Sequence, residues 1–196
     1  LQKPLSAAQN VLQSIANKLR DNNHVSLEDA RLLNSTAYSL SVLSHWTDDV
    51  LLGQKALHGD CTPIRRRLRI GDWRIALGRL LEGVAKQHSI HLEWIGWDES
   101  LPNLYFDPQL INKAFYNLAS YLMRILPTGS SLRFSAAQQS SQSRHLQCTI
   151  ESDQDVLTSE IIQLINGSHQ WMAPNVQITA ILTAKKLIAA HGGSLT

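Results

Sequence analysis

A change of period near residue 58 constrains this chain more than any other feature. Before it, Leu5, Ala8, Leu12, Ile15 and Leu19 recur at three-four spacing, and so do Leu33, Ala37, Leu40, Ser44, Thr47 and Leu51. Each set draws one apolar stripe along a helix. Pro4 suits a first helical turn, where its missing N–H is harmless. DNNHVS at 21–26 interrupts the pattern, and Ser26 with Asp29 is placed to cap a second helix that runs to about residue 56. The expectation for residues 1–57 is therefore a helical hairpin.

Both arms carry small residues, among them Ala7, Ala8, Ala16, Ala30, Ala37, Ser41 and Ser44. These let helices approach closely, but two helices alone bury too little to hold themselves together. Two hairpins pairing into a four-helix bundle would supply the missing core, so a homodimer is expected, with Leu5, Ala8, Leu12, Ile15, Leu19, Leu33, Ala37, Leu40, Ser44 and Leu51 at the interface. Packing of the hairpin on the chain's own second domain is the alternative.

HGDCTPI at 58–64 mixes Gly, Asp and Pro, and residues 58–66 are read as a linker. Beyond it, Trp73 to Lys86 has helical spacing, HLEWIGW at 91–97 alternates like a strand, and 108–125 returns to helix. Ser131–Ala136 and Leu146–Ile150 alternate again, and TAILTAKKLIAAHGG is a last helix stopped by glycine. Helices on one side of a mixed or antiparallel sheet give residues 67–196 a two-layer α/β sandwich, and the whole chain an α+β class.

Composition narrows the function. With 43% hydrophobic residues among 196, the chain can bury a core. Eighteen Lys and Arg against sixteen Asp and Glu leave +2, too weak a bias for a nucleic-acid groove. The basic run RRRLR at 65–69 reads as a segment with solvated arginines around Leu68. No run approaches the roughly 18 apolar residues of a membrane span. Cys61 and Cys148 lack metal-ligand spacing or a disulfide pattern, which fits a reducing cytoplasm.

In that order, hairpin, linker and sandwich resemble the core of a bacterial sensor histidine kinase: a dimerisation and phosphotransfer hairpin followed by an ATP-binding domain of the type shared with gyrase and Hsp90. LQKPL at 1–5 is similar to the segment that follows the phosphoacceptor histidine in that family, with Lys3 in place of a small residue. The acceptor would then lie upstream of Leu1. Asp107-Pro108 and the helix behind it resemble the start of the first nucleotide-binding motif, NLASYLMRILPTG at 117–129 keeps its register, and LIAAHGGSL resembles the last helix and its exit.

The resemblance also shows what is altered. Magnesium-ATP needs oxygen ligands for the ion and a loop with little side-chain bulk near the phosphates. The family's metal-binding Asn corresponds to Tyr121, while Asn117 remains one turn earlier and Leu122 replaces a customary Ala. A phenol whose pKa lies about three units above neutrality is a poor magnesium ligand. ESDQDVLTSE at 151–160 resembles the second motif: Asp153 matches the adenine-reading Asp, but Asp155 and Leu157 stand where glycines belong. In the third motif Ile178 and Ala180 occupy glycine places, and the lid is expected to be a short helix or compact loop around Ile161, Ile162, Leu164 and Ile165. The expectation is a filled nucleotide cleft that takes no cofactor and no metal.

Other chemistry is sparse. His88 and His91 straddle a helix end and a strand start, His24 sits in the hairpin turn, and His45 lies in the second helix as an interhelix or partner contact. No Gly-Lys-Ser/Thr phosphate loop or glycine-flanked nucleophilic serine occurs. Trp73, Trp94, Trp97 and Trp171 are either core or a binding surface. The resemblance thus implies a catalytically inactive, histidine-kinase-like signalling protein, dimeric and cytoplasmic, its full-length form compatible with a membrane tether, that binds a response-regulator receiver or a sensor kinase. A phosphotransferase relaying phosphate through a His upstream of Leu1 is the alternative, and a residual autokinase with an unusual nucleotide mode is a third reading.

Overall fold

The computed structural model describes residues 10, 12, 14, 15, 17, 27–57, 61–98, 100–138, 145–167 and 176–196. The backbone divides into two compact units, Leu1–Gln54 and Lys55–Thr196.

In the first unit, Asn10, Leu12, Ser14, Ile15 and Asn17 are helical, and α1 spans Leu27–Leu57. Three of its hydroxyls bond along its own backbone: Thr36 Oγ1 donates to the Leu32 carbonyl at 2.8 Å, Ser39 Oγ to the Ser35 carbonyl at 2.9 Å and Thr47 Oγ1 to the Leu43 carbonyl at 2.8 Å. Such back-bonding leaves the helix surface less polar than its composition implies. Of the expected stripe, Ala37 is buried, Leu12, Leu33, Leu40 and Ser44 are half-buried, and Ile15 and Leu51 are exposed. Leu5, Ala8, Leu19 and His24 lie outside the described residues, as do the side chains of His45 and Trp46. Leu32 and Leu43 add exposed apolar positions that the stripe did not include.

The second unit runs β1 (Arg66–Leu68), α2 (Ile70–His88), β2 (His91–Ile95), β3 (Leu104–Phe106), α3 (Pro108–Ile125), β4 (Ser131–Gln138), β5 (Leu146–Ser152), α4 (Ser159–Asn166) and α5 (Val176–Ala190). β4 lies between β2, which it pairs in parallel, and β5, which it pairs antiparallel. Its alternation is clean: Leu132, Phe134 and Ala136 face the core while Arg133 and Ala137 face solvent. Leu77, Leu81 and Ala85 of α2 and Phe115, Ala119 and Met123 of α3 cover that inner face, giving a two-layer α+β sandwich.

Four local features depart from the sequence expectation. The α2 helix begins one turn earlier than Trp73, burying Ile70. Its C-cap Ser89 is left-handed at φ 54°, and the Ser89 carbonyl accepts from Gly129 N at 2.9 Å. The strand read over 91–97 stops at Ile95, because Gly96 turns the chain at φ +71°. Arg66–Leu68, whose first residue falls in the stretch read as linker, and Leu104–Phe106, given no element, pair as a separate antiparallel two-stranded sheet. Three-residue strands are too short to carry a periodicity, so only the pairing reveals them.

The described tryptophans of this unit are core. Trp73 and Trp97 are buried with ring centroids 4.9 Å apart, and Trp94 stacks on Phe134 at 4.6 Å. Their polar atoms are satisfied: Trp73 Nε1 donates to Asn112 Oδ1 at 2.7 Å, and Trp97 Nε1 to the Phe134 carbonyl at 3.1 Å. Trp171 lies outside the described residues.

Candidate functional site

Asp107 starts α3 and ties it to two distant segments. Its Oδ1 accepts from Gln109 N at 2.9 Å and Leu110 N at 3.3 Å, capping the helix with Pro108 behind it. Its Oδ2 accepts from Ile64 N at 2.8 Å, and its own N–H donates to His191 Nε2 at 3.2 Å. His191 Nδ1 lies 2.7 Å from the Leu187 carbonyl, which can only accept, so the two contacts together select the neutral tautomer with its proton on Nδ1. Sequence reasoning missed His191; a histidine directly after a helix and before paired glycines was the available signal. Asp107→Ala should cost about 1–2 kcal/mol as a lost cap. Thermal unfolding checks this, and Asp107→Asn, which keeps an accepting oxygen, should recover part of the loss.

Further along α3, Asn117 is buried and its Nδ2 donates to the Ala180 carbonyl of α5 at 3.2 Å. Two expected site positions, Asn117 and Ala180, are thereby brought together at a helix-helix contact. Ser120, one turn after Asn117 on α3, is buried, its Oγ making no hydrogen bond. Tyr121 is half-buried, and that burial pushes its phenol above the ordinary tyrosine value, so it is neutral near pH 7. Ile178 and Ala180 are half-buried on α5, where Ile181, Leu182, Thr183 and Ala184 are buried consecutively. Burial of four successive residues covers every face of a helical turn.

The other expected positions lie on the segment that leaves β5. Asp153, Asp155 and Leu157 are exposed, while Val156 between them packs on the core. Asp153 N donates to the Ser131 carbonyl at 3.3 Å, and Ser152 Oγ donates to the Gln154 carbonyl. Thr158 then caps α4, its Oγ1 accepting from Ile161 N at 3.4 Å. At the far end Lys185 of α5 donates from Nζ to the carbonyls of Ile165 at 2.5 Å and Gly167 at 2.7 Å. A cation on the last carbonyls of a helix satisfies orphan acceptors and opposes the helix dipole. The expected lid region thus begins as an ordered helix tied to α5. Residues 168–175 lie outside the described ones.

Among the described residues no three His, Cys, Asp or Glu side chains form a metal-holding group. Neither thiol is activated. Burial pushes Cys148 up to about 12, and Cys61 is raised by burial first and the Asp107 carboxylate second, against the opposing pull of Lys55. Cys148 should therefore stay unmodified by a thiol reagent at pH 7.5 until the chain unfolds, with Cys61 reacting first. The Cys148 contribution is fully present below the ordinary thiol value of 9.0 and is lost as pH rises from there through about 12, because the unfolded chain releases the proton first. A Cys148→Ala variant should show a smaller loss of stability between pH 9 and 11 than the parent chain; equal losses would contradict this.

No protein-family model matches the sequence, and no curated protein matches it. Solved structures do match in fold. The Acinetobacter baumannii histidine kinase AdeS aligns with a TM-score of 0.62 at 16% identity, over 92% of this chain and 83% of that one. Full-length ShkA, solved in complex with AMPPNP, aligns with a TM-score of 0.64 at 13% identity, over 98% of this chain and 42% of ShkA, so the chain spans less than half of that protein. Among the described residues no helix is long and apolar enough to cross a membrane. With the α2–α3 layer on its mixed sheet, the chain has a histidine-kinase-like core fold.

Proposed function

We propose that this chain is a histidine-kinase-like signalling protein that has lost ATP binding and acts by recognition. In this reading residues 1–57 form a dimerisation hairpin, 58–66 a linker and 67–196 a degenerate ATPase-like sandwich. The dimer serves as a scaffold or regulator that docks a response-regulator receiver or a sensor kinase, with the signal passed as a change in helix packing.

One observation carries the reading. Where the resemblance places the magnesium-binding Asn stands Tyr121, a half-buried phenol that burial pushes further above the ordinary tyrosine value, and Asn117 one turn earlier donates its amide nitrogen to the Ala180 carbonyl. A neutral phenol offers the ion a weak oxygen, and the ring takes space that water or phosphate needs. Magnesium and ATP therefore do not fit the residues present. Supporting it, α4 is pinned by Lys185 where a glycine-rich lid would move, and Asp155 adds negative charge on the segment that would approach phosphate. Exposed Leu32, Leu43 and Leu51 on α1 support the dimer.

Calorimetric titration with magnesium and AMPPNP, beside a light-scattering mass, tests it. The expected result is no heat at millimolar ligand in a particle of twice the chain mass, with ShkA, which was solved in complex with AMPPNP, as the positive control. Saturable binding would sink the filled-cleft reading, and a monomeric mass would sink the scaffold.

A further inference from the structure

The arginines of the run Arg65-Arg66-Arg67-Leu68-Arg69 are exposed and have no part in the candidate site, and the structure gives the run a definite form. Leu68 pairs with Leu104 and Arg66 with Phe106, and Leu68, Leu104 and Phe106 all contribute to the core. Strand alternation then sends Arg67 to the other face, where it lies opposite Tyr105, and Arg65 and Arg69 flank the strand directly at its two ends, Arg69 in extended conformation as the N-cap of α2. Alternate residues of a strand are about 6.6 Å apart. The three arginines thus stand at alternate positions along and beside the strand, with one aromatic ring across from the middle one.

Three observations mark this row as a surface awaiting a partner. All three arginines are exposed, and no described carboxylate forms an ion pair with any of them. Tyr105 at 69% exposure and Ile64 at 70% are the most exposed large apolar side chains among the described residues of the second unit. Among the described residues β1 pairs only with β3, so no described strand adds to its other edge.

We infer that the outer edge of β1 is a docking strip for an acidic, extended segment of a partner protein, which adds as a third strand and sets alternate carboxylates against Arg65, Arg67 and Arg69. Strand addition supplies main-chain hydrogen bonds, and the side-chain row supplies selectivity. Charge does two jobs: arginines on an edge repel a second copy of the same edge, and they favour an acidic strand. Tyr105 stacks on the guanidinium of Arg67 or on an apolar residue of the added strand. A nucleic acid fits less well. The chain carries only +2 overall, one aromatic ring is not a row of stacking platforms, and a sugar-phosphate backbone has no N–H to return to the strand edge. The inference is independent of whether the cleft binds ATP.

The probe is a fluorescein-labelled peptide of alternating Glu and Val, read by anisotropy against the whole chain. Saturable binding is expected, weakened at least tenfold by Arg65→Glu with Arg67→Glu, and similarly by raising salt from about 50 to 300 mM, since exposed ion pairs are screened. Tyr105→Ala, which leaves the charge row intact, should weaken it to a smaller degree. Methylating alternate peptide nitrogens should abolish binding, because the peptide then cannot donate to β1. Circular dichroism confirms that the variants fold. The proposal is overturned by no saturation up to millimolar peptide, by equal affinity in the double variant, or by full retention with the methylated peptide. It is also overturned if oligo-dT or phosphatidylserine vesicles bind through Arg67 while the peptide does not.

Discussion

Replacing Trp73 with Ala should lower the stability of the second unit by about 4–5 kcal/mol, the upper end of the range for removing a buried aromatic ring. Trp73 is buried at the centre of the aromatic cluster, with ring centroids 4.9 Å from Trp97, 4.8 Å from Phe106 and 5.3 Å from Phe115. It therefore links α2 to the segment after β2, to β3 and to α3. Each aromatic pair, tilted with Trp97 and edge-on with Phe106 and Phe115, adds about 0.5–1.5 kcal/mol beyond the area it buries, and the truncation ends all three while leaving a cavity. The indole N–H matters less. Its partner Asn112 is half-exposed, so water can replace the lost bond. Trp73→Phe should accordingly cost under half as much as Trp73→Ala. Urea unfolding followed by circular dichroism measures both. A fall of about 2 M in the Ala variant's midpoint is expected at a typical slope of about 2 kcal/mol per molar urea. A shift under 0.5 M would mean that the cluster is not what joins these elements.

A second substitution should be nearly as damaging although it adds one methyl group. Gly96 sits at φ +71°, and a Cβ there would lie 2.5 Å from the Ala136 carbonyl oxygen. That oxygen belongs to β4, which is held on both sides by β2 and β5, with Ala136 in register with Cys148. It cannot yield without disturbing the sheet. The left-handed conformation costs an L-residue about 1–2 kcal/mol, and relieving the contact adds a comparable amount. Gly96→Ala should therefore destabilise by about 3 kcal/mol. Gly71→Ala is the internal control: no atom lies within 4 Å of the added Cβ, and the residue is in α2. There the same change should stabilise by up to about 1 kcal/mol, because alanine is the better helix former. Melting temperatures moving in opposite directions confirm the contrast. A loss of stability in both would show that backbone conformation does not decide the sign.

These two sites mark how far the sequence could be read. The alternation of Leu132, Phe134 and Ala136 and the Asp107-Pro108 cap are local signals, and the structure contains the corresponding strand and helix. The helix over 108–125 and the final helix before Gly192 are likewise where their periods place them. Trp73 was identified as large and helical, but its choice between core and binding surface depended on what lay opposite. Gly96 stood inside an apparent strand, and only its approach to Ala136 explains why the strand ends there.

The candidate site divides in the same way. That Tyr121, Asp155, Leu157, Ile178 and Ala180 are unlike the residues a nucleotide loop requires is a matter of side-chain chemistry and is visible in the sequence. That the Asn117 amide binds the Ala180 carbonyl across 63 positions, and that His191 meets Asp107 across 84, is not. Nor is the clamp of Lys185 on α4, or the pairing that turns an arginine run into a strand edge. Local periodicity and capping are set by neighbours within about one or two turns, which the chain order itself supplies. Partners far apart in sequence meet only when sheet register and helix packing close the intervening loops, so the tertiary structure alone decided which polar groups this chain uses on itself and which it leaves for others.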